Sequence, residues 1–96
     1  MKVSWDDAKN VANQGKHGVS FEEAQAIFAT EDYLEVFDEE HSDREDRFIA
    51  IGLIHRGLIV VVWAQADEET IRIISARQAT KSEAKLYEIY MRKKHD

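Results

Sequence analysis

The first third of the chain has the alternation of a short strand followed by the spacing of amphipathic helices. Polar and apolar residues alternate over residues 3–5, which predicts a strand. Ala8, Val11 and Ala12 then recur at helical spacing, which predicts a helix near residues 7–14 with these three side chains on its apolar face. An aspartate before this segment, Asp6 or Asp7, is the expected N-cap.

Two capping boxes mark the remaining helices. Residues 13–18 contain two glycines and are expected to end the first helix. Ser20 with Glu23 at the third following position predicts a helix over residues 20–29, and Thr80 with Glu83 predicts one over residues 80–93. The apolar stripes expected to face the core are Phe21, Ala24, Ile27 and Phe28 in the first of these, and Leu86, Tyr87, Tyr90 and Met91 in the second.

Three β-rich segments lie between these helices, at residues 47–53, 58–65 and 71–76, and a weaker one covers residues 34–37. The first two are joined by a turn at residues 55–57. Such short connections allow antiparallel pairing and leave no room for helical crossovers. The middle segment is apolar on both faces, so it is expected in the interior of the sheet.

Together these segments predict an α+β fold of order β-α-α-β-β-β-α. We expect a small antiparallel β-sheet with its helices packed on one side, and Val60 to Trp63 in the central strand. With 96 residues, the chain is expected to form a single domain over residues 1–96.

Composition narrows the class of protein. The apolar share of 44% is typical of globular domains, and the absence of cysteine rules out disulfides and thiolate metal ligands. No N-terminal segment resembles an export signal, and the longest apolar stretch, residues 58–64, is far too short to span a bilayer. We therefore expect a cytoplasmic protein that does not interact with membranes.

The net charge of −6 is unevenly distributed. Residues 31–46 contain nine carboxylates and one arginine, Arg44, whereas residues 72–94 contain seven lysines and arginines and two glutamates. A polyanion responds to the local field of one surface, so the second region could still bind nucleic acid. The simpler interpretation is that both regions are solvated surface.

Two cationic clusters are the candidates for chemistry. The four histidines lie too far apart in sequence for a local metal-ligand pair, and no phosphate-binding glycine motif is present, so neither a metal nor a cofactor is expected. The first cluster lies in the first helix and the turn after it and consists of Lys9, Asn13, Lys16 and His17. The second lies around the last strand and the start of the last helix and consists of Arg72, Arg77 and Lys81, with Arg47 from a neighbouring strand.

These side chains are the types that RNA cleavage without a metal requires. That reaction needs a group to activate the 2′-hydroxyl, a proton donor for the leaving oxygen and positive charge near the phosphate. His17 is the candidate general acid or base, because imidazole titrates near neutrality. The other candidate catalytic residues are Lys16, Arg47, Arg72 and Arg77, and the candidate substrate-binding residues are Lys9, Asn13 and Lys81.

A structural interpretation of the same residues is also open. The lysines would face solvent, His17 would cap a turn, and Arg72 would pair with a carboxylate. An ideal strand would also place Arg72 and Arg77 on opposite faces, so both can reach one site only if Arg77 lies beyond the strand end. The residues taken alone favour this structural interpretation.

Two strings in the chain carry a resemblance to a known family. They are Trp5-Asp6-x-x-Lys9-x-x-x-Asn13-x-x-Lys16-His17-Gly18-Val19-Ser20-Phe21-Glu22-Glu23-Ala24 and Arg72-Ile73-Ile74-Ser75-Ala76-Arg77-x-Ala79-x-x-x-Glu83-x-x-x-Tyr87-Glu88, with Arg47, Ile51 and Gly52 between them. They resemble the opening and closing signatures of the BrnT family of toxins. The resemblance covers nearly the whole chain at the expected spacings.

The resemblance implies a RelE-like fold and a ribonuclease activity that blocks translation. It also implies a cognate antitoxin with a ribbon-helix-helix DNA-binding half, and a toxin–antitoxin complex that represses its own operon by binding operator DNA. A toxin must be masked by a binder, so we also expect an open sheet edge or groove that accepts a partner segment or a second copy of the chain. The acidic stretch at residues 31–46 departs from the family pattern and would lower affinity for free RNA.

Two other classes of function are considered. The chain could be a non-catalytic protein-interaction module, which its net negative charge favours and its paired cationic clusters disfavour. A DNA-binding regulator acting alone is disfavoured, because no helix-turn-helix pattern appears and the basic last helix also carries apolar residues that the core needs.

Overall fold

The computed structural model describes residues 1–96 and contains five strands and three α-helices. The strands are β1 (Lys2–Trp5), β2 (Tyr33–Phe37), β3 (Arg47–Ile54), β4 (Gly57–Gln65) and β5 (Thr70–Gln78). The helices are α1 (Asp7–His17), α2 (Phe21–Ala24) and α3 (Lys81–Lys94), and short 3-10 turns cover Gln25–Ala29 and Glu39–His41. The weak strand expected near residues 34–37 is β2.

The strands form one sheet in the order β1-β5-β4-β3-β2. β2, β3, β4 and β5 pair antiparallel, as predicted, and β4 is the central strand. β1 instead pairs parallel with β5, so the sheet is mixed and the prediction of a wholly antiparallel sheet is wrong. The parallel pairing follows from connectivity: β1 and β5 are separated by most of the chain, and no hairpin forces them to run in opposite directions.

Both predicted capping boxes are present. The Ser20 hydroxyl accepts from the Glu23 N–H and the Glu23 carboxylate accepts from the Ser20 N–H; Thr80 and Glu83 make the same exchange. The first helix runs three residues further than predicted. Gly15 is helical, and the stop is Gly18, whose φ of 72° is the left-handed conformation that ends a helix.

The main core lies on one face of the sheet, which we call the core face. Val61 and Trp63 of β4 point to this face and pack with Phe21 of α2, Ile27 of the following 3-10 turn and Ile73 of β5. The helix predicted over residues 20–29 is an α-helix only to Ala24, and a 3-10 turn continues it to Ala29. Of its predicted core residues, Phe21, Ala24 and Ile27 are buried, and Phe28 is half-buried against Trp63.

α3 lies on the opposite face of the sheet. Its Glu83 binds Arg77, whose side chain leaves the face opposite the core face, and the helix packs against β2 and β3. The helices therefore flank both faces, and the prediction that they pack on one side is wrong. Four residues of α3 were predicted to face the core. Tyr87 and Met91 are half-buried, and Leu86 and Tyr90 are exposed.

α1 is turned differently from the prediction. Ala8, Val11 and Ala12 are exposed, with Val11 at 69% of its maximum, whereas Asn10 and Asn13 are buried. The asparagines are buried because their amides form hydrogen bonds with main-chain and side-chain groups inside the protein, which no alanine or valine side chain could form.

Candidate functional site

A β-bulge places two arginines of β5 on one face of the sheet. Arg72 is opposite Ala64 and Arg77 is opposite Val60, four residues apart on β4, so both side chains leave the same face. The register shifts between Val62 and Trp63, which leaves Ile74 of β5 without a partner on β4. This extra residue brings Arg72 and Arg77 to the same face, whereas strict alternation would place them on opposite faces. The prediction that Arg77 must lie beyond the strand end is therefore wrong, since Arg77 lies within β5.

Arg47 completes this set from the neighbouring strand. It is opposite Ala64 in the β3–β4 register, so Arg47 and Arg72 flank Ala64 on the two sides of the central strand. We call the face that carries Arg47, Arg72 and Arg77 the arginine face. All three side chains are partly exposed and can be reached from solvent.

Each of these arginines contacts a carboxylate. Arg72 Nη2 donates to Glu45 Oε1 at 2.5 Å, and Arg47 Nη2 lies 3.8 Å from the same oxygen. The Nε of Arg47 is buried and has no acceptor within hydrogen-bonding distance. Pairing of Arg72 with a carboxylate agrees with the structural interpretation of this residue, and the pairing also leaves the guanidinium on the arginine face.

Arg77 makes the most complete ion pair of the molecule. Its Nη1 and Nη2 donate to the two carboxylate oxygens of Glu83, both at 2.8 Å. Glu83 also accepts from the Thr80 N–H as part of the capping box. The Arg77 guanidinium, followed by the Thr80 bonds, lowers the pKa of Glu83 from 4.5 to about 2, and the same pairing raises the pKa of Arg77.

Asn13 of the first cluster is a structural residue. β1 pairs with β5 only as far as Ile73, and beyond that point the Asn13 amide takes the place of a strand partner. Its Oδ1 accepts from the Ala76 N–H at 3.1 Å, and its Nδ2 donates to the carbonyls of Ala76 and Val19, both at 2.8 Å. All its bonds are thus used inside the protein, which argues against the predicted substrate contact.

The other members of the first cluster lie on α1 and are not joined to the arginines. Lys9 and Lys16 are exposed and His17 is half-buried at the last position of the helix. None of the three lies within hydrogen-bonding or ion-pair distance of Arg47, Arg72 or Arg77. The structure thus brings the second cluster together and leaves the first one separate.

Position nevertheless relates the two clusters. α1 follows the open edge of β5, and Asn13 binds Ala76, the neighbour of Arg77 in the chain. His17 is four residues after Asn13 and so projects from a similar side of the helix, one turn further on. Lys81, the first residue of α3, is exposed near the same end of β5.

Three polar residues that support the site were missed in the sequence. Glu45 lies in the acidic stretch and carried no local signal for its contact with Arg72. Asn10 accepts from the Phe21 N–H and donates to Glu22, and Arg56 donates to the Gly18 carbonyl at 2.6 Å. Arg56 lies in the turn between β3 and β4, so its contact holds the end of α1 to the sheet.

The arrangement is suited to binding phosphate. Guanidinium groups match phosphate oxygens with paired N–H donors, and three partly exposed ones lie on one face of the sheet. No group of three or more histidine, aspartate or glutamate side chains is arranged to hold a metal ion. No helix is both long enough and apolar enough to cross a bilayer.

Comparison with known proteins identifies the family. A family model described as the ribonuclease toxin BrnT of type II toxin–antitoxin systems matches residues 5–83, whereas no curated protein matches significantly. Among solved structures, the 1.1 Å crystal structure of the Brucella abortus ribonuclease toxin BrnT is similar. It has a TM-score of 0.64 and 28% sequence identity, over 84% of this chain and 99% of that one. The chain therefore belongs to the BrnT family of ribonuclease toxins of type II toxin–antitoxin systems.

Proposed function

We propose that this protein is an endoribonuclease that cleaves RNA without a metal ion and so inhibits translation in the cytoplasm. The observation that carries the proposal is the arginine face, where the bulge in β5 aligns Arg72 and Arg77 with Arg47 of β3. These side chains supply the positive charge that a metal ion would otherwise provide at a phosphate.

In the proposed reaction the RNA 2′-oxygen attacks the adjacent phosphorus while the bond to the 5′-oxygen breaks. A base removes the proton from the 2′-hydroxyl, and an acid gives a proton to the leaving 5′-oxygen. Arg47, Arg72 and Arg77 bind the phosphate oxygens, which gain charge in the transition state, and Lys16 adds to the positive field.

We assign His17 to one of the two proton-transfer roles. Its support is its position: it is half-buried at the end of α1, one turn beyond the residue that binds the main chain beside Arg77. Lys9 and Lys81 extend the cationic surface along the RNA backbone. The family membership favours this catalytic proposal over the non-catalytic interaction module.

The test is cleavage of RNA by purified protein in the presence of excess EDTA. We expect activity to persist in EDTA and to fall roughly a hundredfold in His17→Ala and Arg72→Gln. Arg77→Lys keeps the charge and loses the two-point donor geometry, so it should also lose activity. Arg92→Gln is the matched control, because Arg92 is an exposed cation paired only with Glu88.

Circular dichroism and thermal melting establish that each variant is folded. Loss of activity in EDTA with recovery on adding Mg²⁺ would contradict the metal-independent reaction. Full activity in His17→Ala would remove His17 from the assignment without affecting the arginines.

We also propose that the partner is an antitoxin with a ribbon-helix-helix half, and that operator DNA is bound only by the complex. Exposed apolar side chains of β2, β3 and α3 on the α3 side of the sheet support a protein-binding surface there: Val36, Leu53, Leu86, Ile89 and Tyr90. A homodimer could use the same surface.

Co-expression with the adjacent gene tests the partner. We expect a stable complex that shifts operator DNA in a gel, whereas the toxin alone does not shift it. A complex whose partner has no ribbon-helix-helix sequence would overturn the assignment of the antitoxin type. The mass of the isolated toxin in solution tests the homodimer.

A further inference from the structure

The phosphate-binding groups proposed above already hold an anion that belongs to the protein. We infer that Glu45 is an intramolecular competitor of the RNA phosphate: it binds between Arg47 and Arg72, and RNA must displace it. This inference rests on the proposed function, because it concerns regulation of the same arginine face.

In this contact one guanidinium group binds the carboxylate and a second guanidinium group lies nearby. One carboxylate oxygen, Glu45 Oε1, lies 2.5 Å from Arg72 Nη2 and 3.8 Å from Arg47 Nη2. Carboxylate and phosphate oxygens are bound by the same N–H donors of arginine. The two anions therefore compete for one position, which we call the anion site.

The backbone on either side of Glu45 is held by hydrogen bonds. The Asp46 carbonyl accepts from the Gln65 N–H at 3.2 Å, which attaches the residue after Glu45 to the end of β4. The Ser42 hydroxyl donates to the Asp38 carbonyl and accepts from the Arg47 N–H. The segment before β3 is thus held by its own bonds, and Glu45 is directed at Arg72 before any ligand arrives.

The anion site is only partly satisfied by the carboxylate. Glu45 Oε1 accepts from Arg72 Nη2 but lies 3.8 Å from Arg47 Nη2, which is beyond hydrogen-bonding distance. A phosphate offers more acceptor oxygens in a tetrahedral arrangement and can serve both guanidinium groups at once. An RNA phosphate is therefore the better occupant once Glu45 moves aside.

An open cavity lies beside this contact and gives Glu45 space to move. Its volume is about 540 Å³, and its lining is Glu40, His41, Asp43, Arg44, Glu45 and Arg47. Because most of these side chains are charged, a displaced carboxylate would stay solvated there. The acidic segment therefore weakens RNA binding by occupying the anion site as well as by its general charge.

The experiment compares two substitutions that remove the same charge. Glu45→Gln removes the carboxylate that contacts the arginines, and Glu40→Gln removes an exposed carboxylate from the same cavity that contacts neither arginine. The probe is a fluorescent single-stranded RNA with 2′-O-methyl riboses, which binds but offers no 2′-hydroxyl for cleavage. Its dissociation constant is measured by anisotropy at one fixed salt concentration.

We expect Glu45→Gln to bind the probe about fivefold more tightly than the unaltered protein, because a partly exposed ion pair no longer has to be broken. Glu40→Gln should change affinity less than about twofold, because its charge is screened. Adding Arg72→Gln to Glu45→Gln should abolish the gain. Equal effects of the two single substitutions, or weaker binding by Glu45→Gln, would overturn the inference.

A second probe separates this inference from the proposed function. Inorganic phosphate is titrated while the side-chain N–H resonances of Arg47 and Arg72 are followed by NMR. If phosphate perturbs these resonances at lower concentration in Glu45→Gln, competition is established even where neither protein cleaves RNA, and only the proposed function fails. If RNA is cleaved but phosphate binding is the same in both proteins, only the inference fails.

Discussion

The two faces of the sheet differ in composition, although they are formed by alternating residues of the same strands. On the core face, Val61, Trp63 and Ile73 are buried under α2 and the turn after it. On the arginine face, Arg72 and Arg77 replace apolar residues on β5 and are paired with carboxylates. The first face holds most of the buried core and the second carries the charged groups, which implies that substitutions on the two faces should affect stability by different amounts.

The largest effect on stability is expected on the core-face side, where α1 meets the edge of β5. Asn13→Ala removes the partners of the Ala76 N–H and carbonyl and of the Val19 carbonyl. Leaving buried main-chain groups unpaired should lower the free energy of unfolding by about 3 kcal/mol. Urea denaturation measures this, and Gln14→Ala, on the exposed side of the same helix, is the control. A change below that of the control would show that Asn13 is not structural.

A smaller effect is expected where β3 approaches the 3-10 turn on the core face. A Cβ at Gly52 would lie 2.8 Å from Cγ2 of Ile27, which is itself fully buried and cannot move aside. Gly52→Ala should therefore cost about 1–3 kcal/mol in the free energy of unfolding. Gly15→Ala is the matched control: it is helical, has no atom within 4 Å of the added carbon, and should be neutral or stabilising. Equal stability of the two variants would contradict the close packing at Gly52.

The smallest effect concerns the arginine face and appears mainly as a dependence on pH. Arg77 lowers the pKa of Glu83 to about 2, below its ordinary value of 4.5. The carboxylate therefore stabilises the fold above about pH 4.5, and this contribution is lost as pH falls toward 2. Glu83→Gln cannot titrate, so it should lose less stability than the unaltered protein over that pH range.

At neutral pH the same substitution should cost about 1 kcal/mol, because Arg77 is partly exposed and the ion pair is screened. Glu88→Gln is the control, since Glu88 and its partner Arg92 are both mostly exposed. Thermal melting at several pH values measures both variants. The same pH profile for Glu83→Gln and the unaltered protein would show that the Arg77 pair contributes nothing to stability.

The features predicted from the sequence are those fixed by short segments. The Ser20 and Thr80 capping boxes each lie within four residues, and the hairpin between β3 and β4 is set by a turn at residues 55–57. The apolar run through Val60 and Val61 placed β4 at the centre of the sheet because it requires burial on both faces.

The features that were missed depend on residues far apart in the chain. Asn13 is buried because it bonds the main chain of Ala76, which is 63 positions away in the sequence, and the helical spacing of Val11 predicted the opposite orientation. The bulge at Ile74 reverses the faces of the residues that follow it, and an alternation pattern cannot show an inserted residue. Glu45 reaches Arg72 only because the strands bring the two together.

The large sequence separation between its residues also explains why the candidate site was only partly predicted. Arg47, Arg72 and Arg77 were identified by residue type and position, and the structure places them on one face. His17 and the lysines of α1 were expected to line one cationic site with these arginines if the fold brings the two clusters together, and no hydrogen bond joins them to the arginines. Their shared role stays a prediction, to be decided by the cleavage measurements.

The parallel pairing of β1 with β5 has a consequence for how the protein is made. Synthesis proceeds from the N-terminus, so β1 and α1 leave the ribosome long before the strand they bind. Until residues 70–78 emerge, β1 has no strand to pair with and Asn13 lacks its main-chain partner. Folding is therefore completed by contacts of high sequence separation, which form late and slowly. The arginine face, which requires β5, therefore does not exist until residues 70–78 have been synthesised.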